Sequence, residues 1–454
     1  MGILEFARGC RGLRYVTTML VCSALFSGAL VCANTIPVRL MRLQLIESAA
    51  QLKMEGQYPM IEGGGRSWQL DNFTNALMLN MAGHGDNLGI RGAFAGCRYV
   101  ANGSDQIENL CDSIDVEADP SSPDWYHYAR YWNGWIVLLK PLLVFLNLNQ
   151  IRLLVFTAAT LFVVLLASLL VRLAGVWPGL VVAAAFSLAA YPAACFSLSL
   201  SMCLLVALMA SILVVMRAST CQDSGRLLLF TFDWPSFFLV VGAVTVYLDF
   251  LCTPIVTLGM PLALLAFCSS KELSELRGLT VVRTLLSCCA LWVLGYAGLW
   301  IAKWAISAAF LPELDVIGNA LGQAAQRSGS IVMEGTNGAV LNITPFDSMA
   351  CNFSLMFPKW ILVVFGVLAA SFALGLVMRG KACVRRGLAA PLLCLLFISS
   401  FPYLWYIALS NHSYVHYWFT FRAQIVTVVA LGLATCLLLR IHDTATPERC
   451  DFDA

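Results

Sequence analysis

Apolar stretches of about twenty residues recur along this chain, and each can cross a bilayer core of roughly 30 Å as a helix. The runs are continuous, whereas the strands of a membrane barrel alternate apolar and polar residues. Only 12% of the residues are charged and 59% are hydrophobic, against about 25% charged residues in a soluble domain. The sequence therefore predicts an all-α polytopic membrane protein.

The positions of Lys and Arg predict how the chain is threaded. About ten spans are predicted, at residues 15–36, 151–171, 175–193, 195–216, 234–251, 254–270, 284–308, 359–378, 388–408 and 422–440. Short cytoplasmic loops hold an excess of basic residues. With ten spans, the basic clusters before the first span and after the fourth, sixth, eighth and tenth fall on one side. Both termini are then expected in the cytoplasm.

The segment 131–148 is the weakest point of this topology, because an eleventh span there would move the later basic loops to the outer side. Lys140 and Pro141 interrupt its apolar run, and Tyr131, Trp132 and Trp135 are aromatic residues that favour the lipid interface. We therefore predict an amphipathic helix that lies in the membrane surface.

The spans divide the chain into six parts. The first span also has the basic start and small-residue end of a signal peptide, although its apolar stretch is longer than usual. Residues 37–150, the first polar segment, are predicted to form a long extracytoplasmic loop with interfacial helices. The predicted parts are the cytoplasmic N-terminus with the first span (1–36), the first polar segment (37–150), spans two to seven (151–308), a second polar segment (309–358), spans eight to ten with an outer loop at 409–421 (359–441), and a cytoplasmic tail (442–454).

Two aspartates are candidate catalytic residues. Asp249 lies in YLDFLCTP at the predicted outer end of the fifth span, where an ionisable side chain is costly and usually faces a cavity or a polar partner. It could instead cap the next helix, whose start is marked by Thr253 and Pro254. Asp71 precedes apolar residues at helical spacing, so it is either a helix N-cap or a base or metal ligand at the membrane surface.

The first polar segment offers weaker candidates for metal and disulfide sites. His84 and Asp86 place an imidazole and a carboxylate two residues apart. Residues 102–125 hold seven acids and no base. Oxygen-rich clusters of this kind can bind divalent cations such as Mg²⁺, but the acids lack EF-hand spacing and a solvated acidic loop is the simpler interpretation. Cys97 and Cys111 could form a disulfide in an oxidising compartment, or remain as two thiols.

The predicted last outer loop reads SNHSYVHYWFTFR. His412 and His416 share a face if it is helical, but zinc would need a third ligand. Arg422 lies at the membrane edge beside several aromatics, where a guanidinium suits a lipid phosphate. An aromatic interfacial belt is the simpler alternative. Lys303, near the outer end of the seventh span, is a second candidate for that anion or a side chain that reaches to the interface.

The chain resembles the GT-C fold of membrane glycosyltransferases, which includes protein O-mannosyltransferases and bacterial enzymes that use polyprenyl-phosphate sugars. A long first outer loop with interfacial helices, seven shared spans and a variable C-terminal set match this architecture over most of the chain. YARYWNGWIVLLKPLL, YLDFLCTP and NHSYVHYWFTFR also look like segments of uncharacterised bacterial proteins grouped with these enzymes. The family's acidic motif just after the first span is absent, and Asp71 is its best substitute.

This resemblance implies inverting transfer of a sugar from a polyprenyl-phosphate donor at the outer face of a bacterial cell membrane. It implies Asp71 as the base and Asp249 as a group that orients the donor or the base. Arg422, Lys303, His412, His416 and Arg130 would then bind substrate, with a divalent cation (Mg²⁺ or Mn²⁺) as a candidate cofactor.

The implied partners are a lipid-linked sugar, a glycan or protein acceptor and membrane lipids. Nothing indicates nucleic acid, because no basic cluster with interleaved aromatics is present. A transporter of lipid-linked sugars is the main rival and predicts repeated halves with polar residues at mid-bilayer. A non-catalytic membrane protein with a self-contained outer domain is the third possibility.

Overall fold

A computed structural model of the chain describes residues 2–61, 63–119, 121–222, 233–270, 278–329, 333–334, 340–358, single positions and short runs between 363 and 378, and 388–443. Helices dominate this part of the chain, which confirms the prediction of an all-α protein. The helices are Gly2–Asn34, Arg42–Glu55, Asn72–Ala82, Gly89–Ala95, Gln106–Ser113, Ile136–Leu143, Leu148–Ala174, Val176–Leu188, Tyr191–Cys195, Leu198–Gln222, Trp234–Leu248, Ile255–Cys268, Gly278–Phe310, Val316–Arg327, Pro345–Met356, Ala389–Ile398, Phe401–Ala408, Ser410–Val415, Tyr417–Thr420 and Ile425–Asp443.

The described strands form two short antiparallel pairs. Cys97–Tyr99 pairs with Trp125–His127, and Met333–Glu334 pairs with Val340–Leu341. Both pairs lie within the polar segments, so they close loops and leave the apolar part of the chain entirely to helices.

Six helical stretches among the described residues are long and apolar enough to cross a membrane, which confirms a multi-pass membrane protein. They are Gly12–Asn34, Leu148–Ala174, Leu198–Ser219, Thr280–Phe310, Ala389–Ala408 and Tyr417–Leu439. Three further predicted spans coincide with the shorter apolar helices Val176–Leu188, Trp234–Leu248 and Ile255–Cys268. The predicted eighth span, 359–378, falls largely outside the described residues, as does the tail from residue 444.

Close packing between two of the helices depends on glycine. A Cβ atom on Gly242 would overlap the carbonyl oxygen of Trp292, and a Cβ on Gly295 would overlap that of Leu239. The helices Trp234–Leu248 and Gly278–Phe310 therefore touch backbone to backbone, as small residues allow in membrane proteins. This contact fixes the end of Trp234–Leu248, from which Asp249 follows.

The first polar segment docks onto one end of the helical bundle. Apolar side chains of its helices Arg42–Glu55 and Asn72–Ala82 share a buried cluster with Leu148–Ala174 and with the start of Leu198–Gln222. Hydrogen bonds connect the same surfaces, with Leu198 N donating to Asn75 Oδ1 at 2.9 Å. The segment therefore has a core in common with the apolar helices.

The segment 131–148 differs from its prediction in one respect. It contains only the eight-residue helix Ile136–Leu143, which is too short to span a bilayer. Tyr131, Trp132 and Trp135 are buried in the protein, so assigning these aromatic side chains to the lipid interface was wrong. Trp132 Nε1 donates to Leu299 O at 2.8 Å, so it binds the polar segment to the helix Gly278–Phe310.

Candidate functional site

Asp249 begins a tight turn between the helices Trp234–Leu248 and Ile255–Cys268. Its Oδ1 atom accepts a hydrogen bond from Cys252 N at 2.9 Å, so the carboxylate stabilises the turn and does not cap the next helix. Its Oδ2 atom is buried and accepts no hydrogen bond from an N–H or O–H group in the described part of the chain, while the carboxylate interacts with the thiol of Cys203. Leu251 lies in the same turn with φ at +65°, a conformation that costs a non-glycine residue about 1–3 kcal/mol and is found mainly near functional sites.

Asp71 is the N-cap of the helix Asn72–Ala82, the simpler of the two interpretations that the sequence allowed. Its Oδ1 atom accepts from Thr74 N at 3.0 Å, and its Oδ2 atom accepts from Ser199 Oγ at 3.2 Å. Burial raises the pKa of its carboxyl group, although these hydrogen bonds favour the charged form. Both oxygens of Asp71 are thus already occupied.

The two aspartates approach each other through Cys252. Burial raises the pKa of the Cys252 thiol well above its usual value, and the charges of Asp249 and Asp71 raise it further. Ser199, which bonds Asp71, also hydrogen-bonds Cys252. Residues far apart in the chain therefore place both carboxylates near Cys252, where the first polar segment meets the bundle.

Arg422 reaches the same point from the C-terminal part of the chain. Its side chain is only 1% exposed and donates to three backbone carbonyls, those of Ala189 (3.0 Å), Ser67 (2.8 Å) and Trp418 (3.4 Å). It also interacts electrostatically with Cys252. No carboxylate forms a salt bridge with it among the described residues, so its positive charge is balanced here by carbonyl oxygens alone.

A further cation, which the sequence analysis missed, is Arg327 at the end of the helix Val316–Arg327. Its guanidinium lies 5.7 Å from the ring centroid of Tyr131, and Tyr131 in turn interacts with the charge of Asp249. Burial and the charge of Arg327 lower the pKa of His416 to about 4, so that imidazole is neutral. Arg327 is the one basic residue in an amphipathic helix of the second polar segment, but nothing in its local sequence connects it to Asp249.

His412 and His416 adjoin this point, with ring centroids 4.9 Å apart. His412 Nε2 lies 2.8 Å from Leu251 O. Because a carbonyl oxygen can only accept, the ring N–H donates a hydrogen bond to the turn that follows Asp249. Burial, then His416 and Arg327, lower the pKa of His412 well below its usual value. Both rings are therefore neutral at pH 7, and they position groups at the site without adding charge.

Arg130 lies beside this group and is held by neutral partners. Its guanidinium is 4.2 Å from the Tyr128 ring centroid and 5.3 Å from that of Tyr131. Its Nη1 donates to Asn319 Oδ1 at 2.9 Å and to Tyr126 Oη at 3.1 Å. It connects the two polar segments and has no acidic partner within the described ranges.

Lys303 is at a different place from the one predicted. It is fully buried, and its Nζ donates to Phe94 O at 2.9 Å with the ring of Phe94 nearby. The side chain therefore neither binds an exposed anion nor reaches to the interface. It attaches the first polar segment to the helix Gly278–Phe310.

His84 and Asp86 form separate contacts in the first polar segment. The His84 ring packs edge-on against Trp125 at 4.8 Å, and Asp86 Oδ2 accepts from Val38 N at 3.0 Å. In the described ranges, no three His, Cys, Asp or Glu side chains gather as metal ligands. Cys97 and Cys111 are free thiols, so the disulfide alternative was wrong, and Cys97 Sγ lies 3.4 Å from His127 Nδ1.

A divalent cation beside the two aspartates would need several free oxygen ligands. Asp71 has both of its oxygens hydrogen-bonded, and only Oδ2 of Asp249 is free. This donor set does not fit a cation in the arrangement shown. Arg422 and Arg327 already supply positive charge there.

No protein family model, curated protein or solved structure matches this chain.

Proposed function

We propose that this protein is a membrane-embedded glycosyltransferase of the GT-C type, with about ten spans and both termini in the cytoplasm of a bacterium. It moves a sugar from a polyprenyl-phosphate donor to an acceptor hydroxyl at the outer face. The convergence of Asp249, Asp71 and Arg422 at Cys252 is the observation that carries this proposal. A free carboxylate oxygen beside uncompensated arginines is what transfer from a phosphate donor requires.

Asp249 is a better base than Asp71 because its Oδ2 accepts no N–H or O–H hydrogen bond among the described residues. The acceptor oxygen attacks the anomeric carbon and gives its proton to Asp249. The bond between that carbon and the donor phosphate oxygen breaks, and the lipid phosphate leaves with the electron pair. Attack opposite the leaving group inverts the anomeric carbon. Asp71 holds the helix Asn72–Ala82 beside this centre as its cap.

Arg422 and Arg327 would stabilise the charge that develops on the departing phosphate, as fixed cations do in a water-poor site. Asp249 and Arg422 are only 5% and 1% exposed. Substrate therefore reaches them after the polar segments that cover them move apart. The isoprenoid tail would lie between apolar helices, which accounts for the membrane location.

The direct test uses purified full-length protein in liposomes with radiolabelled polyprenyl-phosphate sugars and cell-envelope acceptors. The proposal expects label to move from the donor to an acceptor and free lipid phosphate to accumulate in equal amount. Movement of intact lipid-linked sugar across the bilayer without cleavage would support the rival transporter. No cleavage of any donor in the panel would remove the proposal.

Arg327→Gln tests the phosphate contact. We expect the KM for the donor to rise about tenfold with a smaller change in kcat, because the guanidinium would bind the phosphate before and during transfer. Arg283→Gln, a change at an exposed arginine near the start of the helix Gly278–Phe310, is the matched control. Equal KM values for the two variants would exclude Arg327 from donor binding.

A further inference from the structure

Lys140 is a buried cation without a partner. It lies in the helix Ile136–Leu143, its side chain is 1% exposed, and its Nζ has no hydrogen-bond acceptor among the described residues. Lys303, a second fully buried lysine among the described residues, donates to the Phe94 carbonyl oxygen. A buried ammonium group that lacks an acceptor loses its hydration without compensation. An unseen acceptor at Lys140 would remove that cost.

A small cavity lies beside the Lys140 side chain. Its walls include Asn34, His84, Cys97 and Lys140, and its free volume is about 10 Å³, room for about one water-sized species. His84 makes no hydrogen bond in the described part of the chain, and burial lowers its pKa to about 4. Its neutral ring therefore offers one N–H donor. The cavity thus has two donors, an ammonium group and an imidazole.

The cavity adjoins a groove of about 390 Å³ on the first polar segment, and His84 lines both spaces. Val38, Arg42, Asp86 and Glu117 are among the residues that line the groove. Asp86 is the acid that acts on Lys140, but its carboxylate accepts from Val38 N and Asn87 N. It therefore leaves the ammonium group without a hydrogen bond.

Protonation supports an anionic occupant. Burial lowers the pKa of Lys140 to about 8, with Asp86 acting in the opposite direction. The ammonium form therefore predominates at pH 7. A water molecule could fill the cavity, but only an anion would also neutralise the charge.

We propose that Lys140 and His84 bind one small anion, either a free halide ion or the carboxylate end of a ligand that lies in the groove. The shared chemistry is a single compact negative atom or group that accepts from the Lys140 ammonium and the His84 N–H. This site is separate from the residues around Asp249 and does not depend on the transfer reaction.

The test measures the thermal unfolding midpoint of the purified full-length protein in detergent at pH 7. Sodium chloride, formate or succinate replaces sodium isethionate, whose anion carries a bulkier sulfonate group and no carboxylate, at constant ionic strength. A ligand that binds only the folded state raises the midpoint in a saturable way. We expect this rise for the wild type and for Lys53→Met, a control at an exposed lysine. We expect none for Lys140→Met.

The series also identifies the source of the anion. If only chloride or formate raises the unfolding midpoint, the cavity binds a free ion. If succinate raises it equally, the cavity binds the end of a ligand that extends into the groove. If none of the three anions raised the unfolding midpoint of the wild-type protein, the proposal would be overturned, even if Lys140→Met did not fold. An equal rise in Lys140→Met would also overturn it.

Discussion

Two buried arginines of this protein differ in their hydrogen-bond partners, since one binds a carboxylate and the other binds backbone carbonyls. Arg152, at the junction between the first polar segment and the bundle, is 1% exposed and lies 3.0 Å from Glu55 Oε2. Arg422 is equally buried but donates only to backbone carbonyls. Asp249 lies in the same turn as Cys252, and its Oδ2 atom accepts no N–H or O–H hydrogen bond among the described residues. Arg422 interacts electrostatically with Cys252.

The difference separates charges that hold the fold from charges that are available to a ligand. At the junction, burial alone would raise the pKa of Glu55, but Arg152 and hydrogen bonds from Gln51 and Asn72 lower it below its usual value. This carboxylate is neutralised within the protein. Around Asp249, no salt bridge joins this acid to Arg422 or Arg327 among the described residues, and the backbone there has positive φ angles at Leu251 and Ala190. Such strain is typical of a site shaped for something other than stability.

Breaking the junction should have the largest effect on stability. Arg152→Met leaves the carboxylate of Glu55 without its cation, and loss of one partner of a buried pair costs about 3–5 kcal/mol. We expect a cost toward the lower end, because Glu55 is 28% exposed. The free energy of unfolding in detergent measures it.

The double variant Arg152→Met with Glu55→Gln should recover most of that loss, because neither charge then remains. Lys53→Met breaks the exposed pair with Glu108 and should cost about 1 kcal/mol or less. A loss at Arg152 no larger than that at Lys53 would contradict the role given to the junction.

The buried histidines should make stability depend on pH. His416 has a pKa near 4 in the folded protein and about 6.5 when unfolded. The unfolded chain therefore binds the extra proton first as the pH falls, and stability decreases from pH 6.5 toward pH 4 by an amount on the order of 2 kcal/mol. Unfolding of wild type and His416→Gln across this range checks it, since the variant should show a shallower decline. Parallel curves would show that His416 is not buried neutral.

The helix cap at Asp71 should give the smallest effect. Asp71→Ala removes the acceptor for Thr74 N and should cost about 1 kcal/mol, whereas Asn is also a good cap and should cost little. Unfolding midpoints of the two variants compare them. A large loss in Asp71→Asn would mean that the charge of this carboxylate matters beyond the cap.

Patterns within single segments predicted much of this arrangement. The apolar runs located the helices, because length and hydrophobicity decide whether a segment can span a bilayer. The sequence motifs also selected Asp249, Arg422 and both histidines, which the structure brings close together. The position of Asp71 just before an apolar helical pattern predicted its role as an N-cap.

The rest depends on contacts between distant residues. Lys303 looked like an anion ligand, but its partner is the Phe94 carbonyl oxygen, some two hundred positions earlier in the chain. Arg327 was missed because only the folded chain places it beside Tyr131. Trp132 and Trp135 are aromatic residues that suit either a lipid interface or a protein core, and their own sequence could not distinguish the two.

The central claim is that Asp249 removes the acceptor proton and that Asp71 supports the site as a cap. The most direct measurement compares the rate of sugar transfer by Asp249→Asn and Asp71→Asn in liposomes, each with its unfolding midpoint. Loss of a general base lowers the rate about 10²- to 10⁴-fold, which we expect for Asp249→Asn with little change in midpoint. Asp71→Asn should stay within about tenfold of wild type, because asparagine keeps the cap. A wild-type rate in Asp249→Asn would contradict the account.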